Sequence, residues 1–376
     1  MTILPRPEIE DLYGCYHGGL HYEEIKGIGI APEDVIDFSA NYNLLGPPVQ
    51  MKAALENVAI DCYPDSEATE LRQCLALKLA VLPENILVGN GSVELIRFIA
   101  QTYFSPGDLV LLIEPTFGEY EIASRIAGCH LVKQQLREEE GFKLRVEQMV
   151  EMIERYHPKG IFICNPNNPT GQYLTRDELE AILDAGKNSL LTLDEAYISF
   201  VDDAWSSLNM IRSGNVIVLR TMTKDYALAG LRLGCAIAEP EVISILRRVR
   251  PPWNVNVVAQ RAGVIALEND EYLERSKRSF HEAKSFLIGA LSGIGLPPFP
   301  SQTNFLLVKV GDARRFRLAL LRRGIAIRDC SSFGMPQYVR IAVGTLPNCQ
   351  KLVTVIREIM GKSDDSRLQG KDNSLN

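Results

Sequence analysis

Several resources that whole classes of protein depend on are missing from this chain. No apolar run approaches the roughly 18 residues that a membrane-spanning helix needs, so no membrane anchor is expected. The eight cysteines, at 15, 62, 74, 129, 164, 235, 330 and 349, form no C-x-x-C pair. A chain of 376 residues is too large to need disulfide staples, so a reduced, cytoplasmic protein is expected. The five histidines contain no H-E-x-x-H, so no zinc site is expected from them. An excess of basic charge is missing too. Net charge is -7 and the pI is about 5.5, which argues against a nucleic-acid partner. The first residues, MTILPRPEIEDLYG, show no basic region followed by an apolar core, so no secretory leader is expected.

What is present suits a globular chain with a sizeable core. Hydrophobic residues make up 46% and charged residues 23%, ordinary values for a globular chain. The length suggests two domains, or one large α/β unit with a smaller appendage. ENILVGNGS followed by VELIRFIAQTYF reads as strand, Gly-rich turn, helix. DLVLLIEPTF with GEYEIASRIAG repeats that order, and GIFICNPNNPTG runs from a strand into a polar turn. TRDELEAILDAGK reads as a helix with Thr175 as its N-cap. LLTLDEAY and NVIVLRTMTK read as further strands. Strands alternating with helices predict a mostly parallel sheet covered on both faces.

After PPWNVNVVAQ the pattern changes to a long helical stretch and then short strands, an α+β unit. Residues 1–45 are too short to fold alone and are expected to join that unit. The expected division is a segment 1–45, a large domain 46–255, a small domain 256–361 and a polar tail 362–376. The tail lacks aromatic residues and is expected to be without structure.

One lysine raises the chemical question. Lys224 sits in TMTKDYALAGLRLG, just after a run that reads as a buried strand. A buried, unpaired ammonium is expensive. Such a lysine reaches solvent, is paired, or is used covalently. Its neighbours in the pattern favour the last. Asn168 in NPNNPTG, Asp194 and Tyr197 in DEAY, and Arg232 each follow a different predicted strand. All are therefore placed to converge on the carboxyl edge of one sheet, where ligands of such folds bind. GNGS ends a strand and opens a helix, so Gly91 and Ser92 offer an anion site of backbone N–H groups and helix dipole. A phosphate site, a carboxylate, an Asn and a lysine in one cleft fit pyridoxal phosphate. The amine forms a Schiff base, a carboxylate pairs with the pyridinium nitrogen, and a phenol and an Asn bond the ring oxygen. A nearby cation and partial burial lower the lysine pKa, as a nucleophilic amine requires.

These residues carry a resemblance. NNPTG, D-E-A-Y and T-K-x(7)-R occur in order, and over roughly residues 17 to 355 the chain resembles fold-type I pyridoxal-phosphate enzymes of the class I/II aminotransferase family. The resemblance implies a mostly parallel, seven-stranded-type sheet between helices, with a smaller α+β domain built from the chain ends. It implies that Lys224 is the Schiff-base lysine, Asp194 the partner of the pyridine nitrogen, and Asn168 and Tyr197 the partners of the ring oxygen. Gly91, Ser92, Val93, Thr221 and Arg232 would hold the phosphate, and Phe117 in EPTFGEY would stack on the ring. Tyr63 in YPD would reach the cofactor of a neighbouring subunit, which implies a homodimer. Arg340 in YVRIAVGT matches the substrate-carboxylate arginine, where a bidentate fork is apt.

The chain ends point to a branch. His17-Gly18-Gly19, DFSANYNLLGPP, PPWNVN and AIRDC resemble the L-threonine O-3-phosphate decarboxylases of cobalamin synthesis. The alternative is an aminotransferase of the histidinol-phosphate type, which shares part of these features. Either branch implies a small phosphorylated amino acid or amine as substrate. Arg328 would bind its phosphate, helped by His17 and Asn41 in the decarboxylase-like case. Three positions depart from the pattern: Leu44 in N-L-L-G, Cys235 after L-R-L-G, and Thr221 in place of Ser.

Taken singly, each residue also has a structural reading. NPNNPTG could be a tight turn. Arg328 and Arg340 could be ion-pair partners, Tyr63 and Phe117 core aromatics, and His17 a satisfied loop residue. Decarboxylation and transamination differ only in which bond stands perpendicular to the cofactor ring, a matter of positioning that sequence does not carry.

Overall fold

Most strands of the large sheet form where apolar, often β-branched residues run together, whereas its edge strand His130–Gln135, HLVKQQ, is mixed. In the computed structural model, which describes residues 3–369 apart from Asp11, Tyr13 and Leu44, eleven strands follow in chain order. They are β1 (Ile36–Phe38), β2 (Ile86–Gly89), β3 (Leu109–Glu114), β4 (His130–Gln135), β5 (Gly160–Cys164), β6 (Leu190–Asp194), β7 (Val216–Thr221), β8 (Gly234–Ile237), β9 (Phe305–Lys309), β10 (Ile325–Asp329) and β11 (Tyr338–Ala342).

Seven strands make one sheet in the order β2-β8-β7-β6-β5-β3-β4. All neighbouring pairs are parallel except those of β8, which runs antiparallel to both β2 and β7. Successive residues of β3 serve opposite layers, the alternation a strand imposes. Leu111 and Ile113 pack with the helices Thr69–Leu79, Val146–Tyr156, Arg176–Ala185 and Val257–Leu267. Val110 and Leu112 pack with the helices Ser92–Tyr103, Glu119–Ile126 and Pro240–Val249. A sheet covered on both faces can be apolar on both, which is why its strands read as continuous apolar runs.

The second sheet has the order β1-β10-β11-β9. β1 comes from the N-terminal segment and pairs in parallel with β10, so both chain ends build this unit. Its core holds Phe38, Phe305, Leu306, Ile327 and Ile341. The 23-residue helix Asp270–Ser292 joins the two units: Tyr272 packs in the large core and Leu287 in the small one.

One expectation needs correction. Residues 362–369 continue the final helix, Leu346–Gln369, rather than starting a tail without structure; residues 370–376 lie outside the described residues. Among the described residues no helix is long and apolar enough to cross a membrane.

The fold places the polar strand ends together. β5, β6 and β7 are parallel neighbours, and the turns after them carry Asn168, Asp194 with Tyr197, and Lys224. Leu287 is fully buried, so Leu287→Ala is expected to lower the unfolding free energy by about 2–5 kcal/mol in urea denaturation. A loss of less than about 1 kcal/mol would contradict the packing of the long helix on the small sheet.

Candidate active site

A cavity of about 380 Å³ lies at these strand ends, between the large sheet and the small one. Its lining includes Lys224, Asp194, Tyr197, Asn168, Thr221 and Arg232 from the large unit, and Arg328 and Arg340 from the small one. His17, Asn41, Ser92, Val93 and Phe117 line it as well.

Lys224 follows the end of β7 and forms no ion pair among the described residues. Burial, then the positive charges of Arg340 and Arg232, push its ammonium down to about 8, against the pull of Asp194. Removing a cation from water costs most when like charges are near, so this amine gives up its proton more readily than an ordinary lysine does.

Asp194 ends β6 and is 3% exposed. Its Oδ2 accepts from the Tyr120 hydroxyl at 2.8 Å, and its Oδ1 from the Ala196 N–H at 3.1 Å. Burial raises this carboxyl to about 6, while those two donors and Lys224 act to lower it. Tyr120 itself is fully buried, stacked on Phe162 with centroids 5.1 Å apart, and holds its proton far into alkali.

Tyr197 accepts from the Asn41 amide at 3.1 Å, so the phenol keeps its own proton to donate. Burial pushes that phenol up to about 12. Asn168 accepts through Oδ1 from Arg340 Nη1 at 2.6 Å, which leaves its amide N–H groups as donors. Phe117 packs edge-on against Tyr120, with centroids 5.6 Å apart.

The turn that opens the helix Ser92–Tyr103 needs a glycine. Gly91 has φ of +81°, and a Cβ there would lie 2.9 Å from Arg232 Nη2. Gly91 precedes the helix Ser92–Tyr103, whose first N–H groups have no partner within the helix. Ser92, Val93, Thr221 and Arg232 surround that end. Arg232 Nη1 is held by the carbonyl of Ala229 at 3.1 Å.

Arg328 and Arg340 are register partners across β10 and β11, and both are buried, at 2% and 5% exposure. Neither forms an ion pair among the described residues; their partners are neutral. Arg340 Nη2 donates to the Ser39 carbonyl at 2.7 Å, and its guanidinium lies 5.3 Å from the Phe305 ring. Arg328 Nη2 donates to the Tyr16 carbonyl at 2.7 Å and to Ser332 Oγ at 2.5 Å. The Tyr16 and Phe333 rings flank it at 4.4 and 5.3 Å. Nη1 of Arg328 and Nε of Arg340 are buried without a partner. Burial and then Arg340 push Arg328 down to about 10.

His17 lies at the cavity edge with its side chain 49% exposed, and its Nε2 is 3.1 Å from Glu119 Oε1. Asn41 is committed to Tyr197 through its amide, and its Oδ1 is buried without a partner. Tyr63 does not reach this cavity. It is 78% exposed and stacks on Trp253, with centroids 4.2 Å apart. Sequence reasoning missed Tyr120, Tyr16, Glu119 and Phe333. Only Tyr120 carried a signal: a tyrosine on the buried face of a helix needs a partner for its hydroxyl.

The donor set fits pyridoxal phosphate: an amine without an ion pair, a buried carboxyl, and an anion cradle that a Cβ would obstruct. Comparison with known proteins agrees. The family model Aminotransferase class I and II matches residues 33–356. The histidinol-phosphate aminotransferase of Moorella thermoacetica is 36% identical over 92% of this chain and 90% of that protein. That of an Anaeromyxobacter species is 38% identical over 92% of this chain and 96% of that protein. The crystal structure of L-threonine-O-3-phosphate decarboxylase from Porphyromonas gingivalis has a TM-score of 0.76, with 27% identity, and covers 86% of this chain and 99% of that one. The chain belongs to the class I and II aminotransferase family, and its cofactor is pyridoxal 5'-phosphate.

Proposed function

We propose that this chain is a transaminase of the histidinol-phosphate type, moving an amino group between a small phosphorylated amine and a 2-oxo acid. The observation that carries the choice of branch is the likeness to histidinol-phosphate aminotransferases at 36% and 38% identity, and the pair of buried guanidiniums with neutral partners only supports anionic substrates. Two desolvated cations side by side are stable where anions bind them. A phosphorylated amine brings one dianion, and a 2-oxo acid brings a carboxylate. From sequence, the decarboxylase ranked first. The relatives at 36% and 38% identity support the alternative better than the decarboxylase likeness at 27% supports that first choice.

The residues take roles that follow from their contacts. Lys224, held near neutrality, anchors the cofactor and takes the proton from the amine-bearing carbon of the substrate. Pyridoxal phosphate, when bound, supplies the electron sink for the pair left at that carbon. Asp194, set by Tyr120 and the Ala196 N–H, would pair with the ring nitrogen. Asn168 and Tyr197 would donate to the ring oxygen, each freed to do so by Arg340 and Asn41. Gly91, Ser92, Val93, Thr221 and Arg232 would receive the cofactor phosphate, and Phe117 would cover the ring. Arg340 receives a substrate carboxylate and Arg328 the substrate phosphate, with His17 beside it. Tyr63, exposed on this chain, completes the cofactor site of a second copy in a homodimer.

The cofactor-loaded protein is expected to form glutamate from histidinol phosphate and 2-oxoglutarate, and to release no carbon dioxide from L-threonine O-3-phosphate. Carbon dioxide without glutamate would restore the decarboxylase reading. The two arginines are expected to separate kinetically. Arg328→Gln raises the KM for the phosphorylated amine and Arg340→Gln that for the 2-oxo acid, each by about thirtyfold or more, equivalent to about 2 kcal/mol or above. Equal effects of both variants on both substrates would overturn the division.

A further inference from the structure

We propose that Cys15, His17 and Glu119 form a binding site for zinc at the edge of the cavity, and that a bound ion holds the N-terminal segment across it. The thiol, the imidazole and the carboxylate each offer one donor atom, and the three atoms lie within 4.8 Å of one another. Thiolate, imidazole and carboxylate are the ligands that zinc takes, at about 2.0 to 2.3 Å, which sets tetrahedral ligands roughly 3.3 to 3.8 Å apart. His17 Nε2 and Glu119 Oε1, at 3.1 Å, are already near that spacing.

The surroundings are shaped for this arrangement. A Cβ on residue 118 would lie 2.8 Å from Cys15 Sγ, so Gly118 gives the thiol its seat beside Glu119. Glu119 is 5% exposed, and Arg97 Nη2 holds its Oε2 at 2.7 Å, which leaves Oε1 turned to His17. A ligating carboxylate fixed from behind by a hydrogen bond is the usual outer support of a metal site. The thiolate and the carboxylate are the anionic ligands, the carboxylate being shared with Arg97. On binding, the Cys15 S–H bond breaks, its proton leaves to solvent, and a bond from sulfur to the metal forms. The proton that Nε2 shares with Glu119 moves by way of solvent to Nδ1, so that the neutral imidazole gives its Nε2 lone pair to the metal. Three protein ligands leave a fourth position for water or a substrate oxygen.

The ion would act on substrate access. Cys15 and His17 flank Tyr16, whose carbonyl and ring both rest on Arg328. Fixing residues 15 and 17 to the helix Glu119–Ile126 ties this segment down over the guanidinium. This consequence rests on the function proposed above; the binding itself does not.

Cobalt(II) tests the site, because its thiolate complex gives a charge-transfer band. The cofactor-loaded protein is titrated with cobalt chloride in phosphate-free buffer, and zinc chloride is then added to displace it. The expected result is a thiolate band that saturates with one ion per chain and is removed by zinc. Cys15→Ser should lose the band, and His17→Ala should lose affinity by about tenfold or more. No band, or a band that persists in Cys15→Ser, overturns the site. Zinc should also slow amino transfer reversibly, and a chelator should restore it. A protein that shows the band yet transfers no amino group keeps the site and rejects the functional reading. A protein that transfers amino groups but shows no band does the reverse.

Discussion

Four cationic side chains line one cavity, two of them buried, Arg328 and Arg340, and the rest of the site follows from that crowding. Lys224, Arg232, Arg328 and Arg340 all line it, with Asp194 as the buried carboxylate among them. Like charges out of water repel strongly, since the protein interior screens them poorly. The arginines keep their charge and lean on neutral acceptors: the carbonyls of Ser39, Tyr16 and Ala229, and the Asn168 amide oxygen. Lysine is the member that can give up its proton, and its ammonium falls to about 8. The same crowding that lowers the lysine pKa leaves positive charge facing the cavity, which suits the cofactor phosphate and the anionic substrates proposed above.

The scaffold makes this arrangement affordable. Lys224, Asp194 and Asn168 stand at the ends of three parallel strands whose apolar residues are buried on both faces. Arg328 and Arg340 stand on a different sheet, brought opposite by β1 from the N-terminal segment and by the helix Asp270–Ser292, which packs in both cores. Opposing charges are thus set by two separate hydrophobic cores, and neither core has to bury the full cluster.

The reading from sequence went far in the large unit, for a physical reason. A parallel sheet covered by helices shows as apolar runs, and the polar residues that follow such runs lie at one edge. Asp194, Lys224 and Asn168 were legible in that way. The direction of β8 was not, because an apolar strand reads the same in a parallel or an antiparallel place. Tyr120 and Glu119 sit within a helical pattern, where their periodic spacing hides what their side chains meet. The paired register of Arg328 and Arg340 depends on two strands joined by a loop whose geometry sequence does not show. The polar stretch from Lys362 has no apolar face of its own, yet its first residues prolong a helix started by the buried Leu352 and Ile356. Choice between bond cleavages rests on positioning, so the proposed branch leans on likeness to relatives and not on any single residue.

At the centre stands Lys224, whose ammonium gives up its proton far more readily than that of an ordinary lysine. Its ammonium has its pKa lowered by burial and by Arg340 and Arg232, so the reactive amine accumulates as pH rises through about 8. The direct measurement is the rate at which the cofactor-free protein captures pyridoxal phosphate, followed by absorbance across pH. The account predicts a rate that climbs through a midpoint near 8 and then levels, and a midpoint moved upward in Arg340→Gln. A midpoint at the ordinary lysine value near 10.5, unmoved by that substitution, would contradict it.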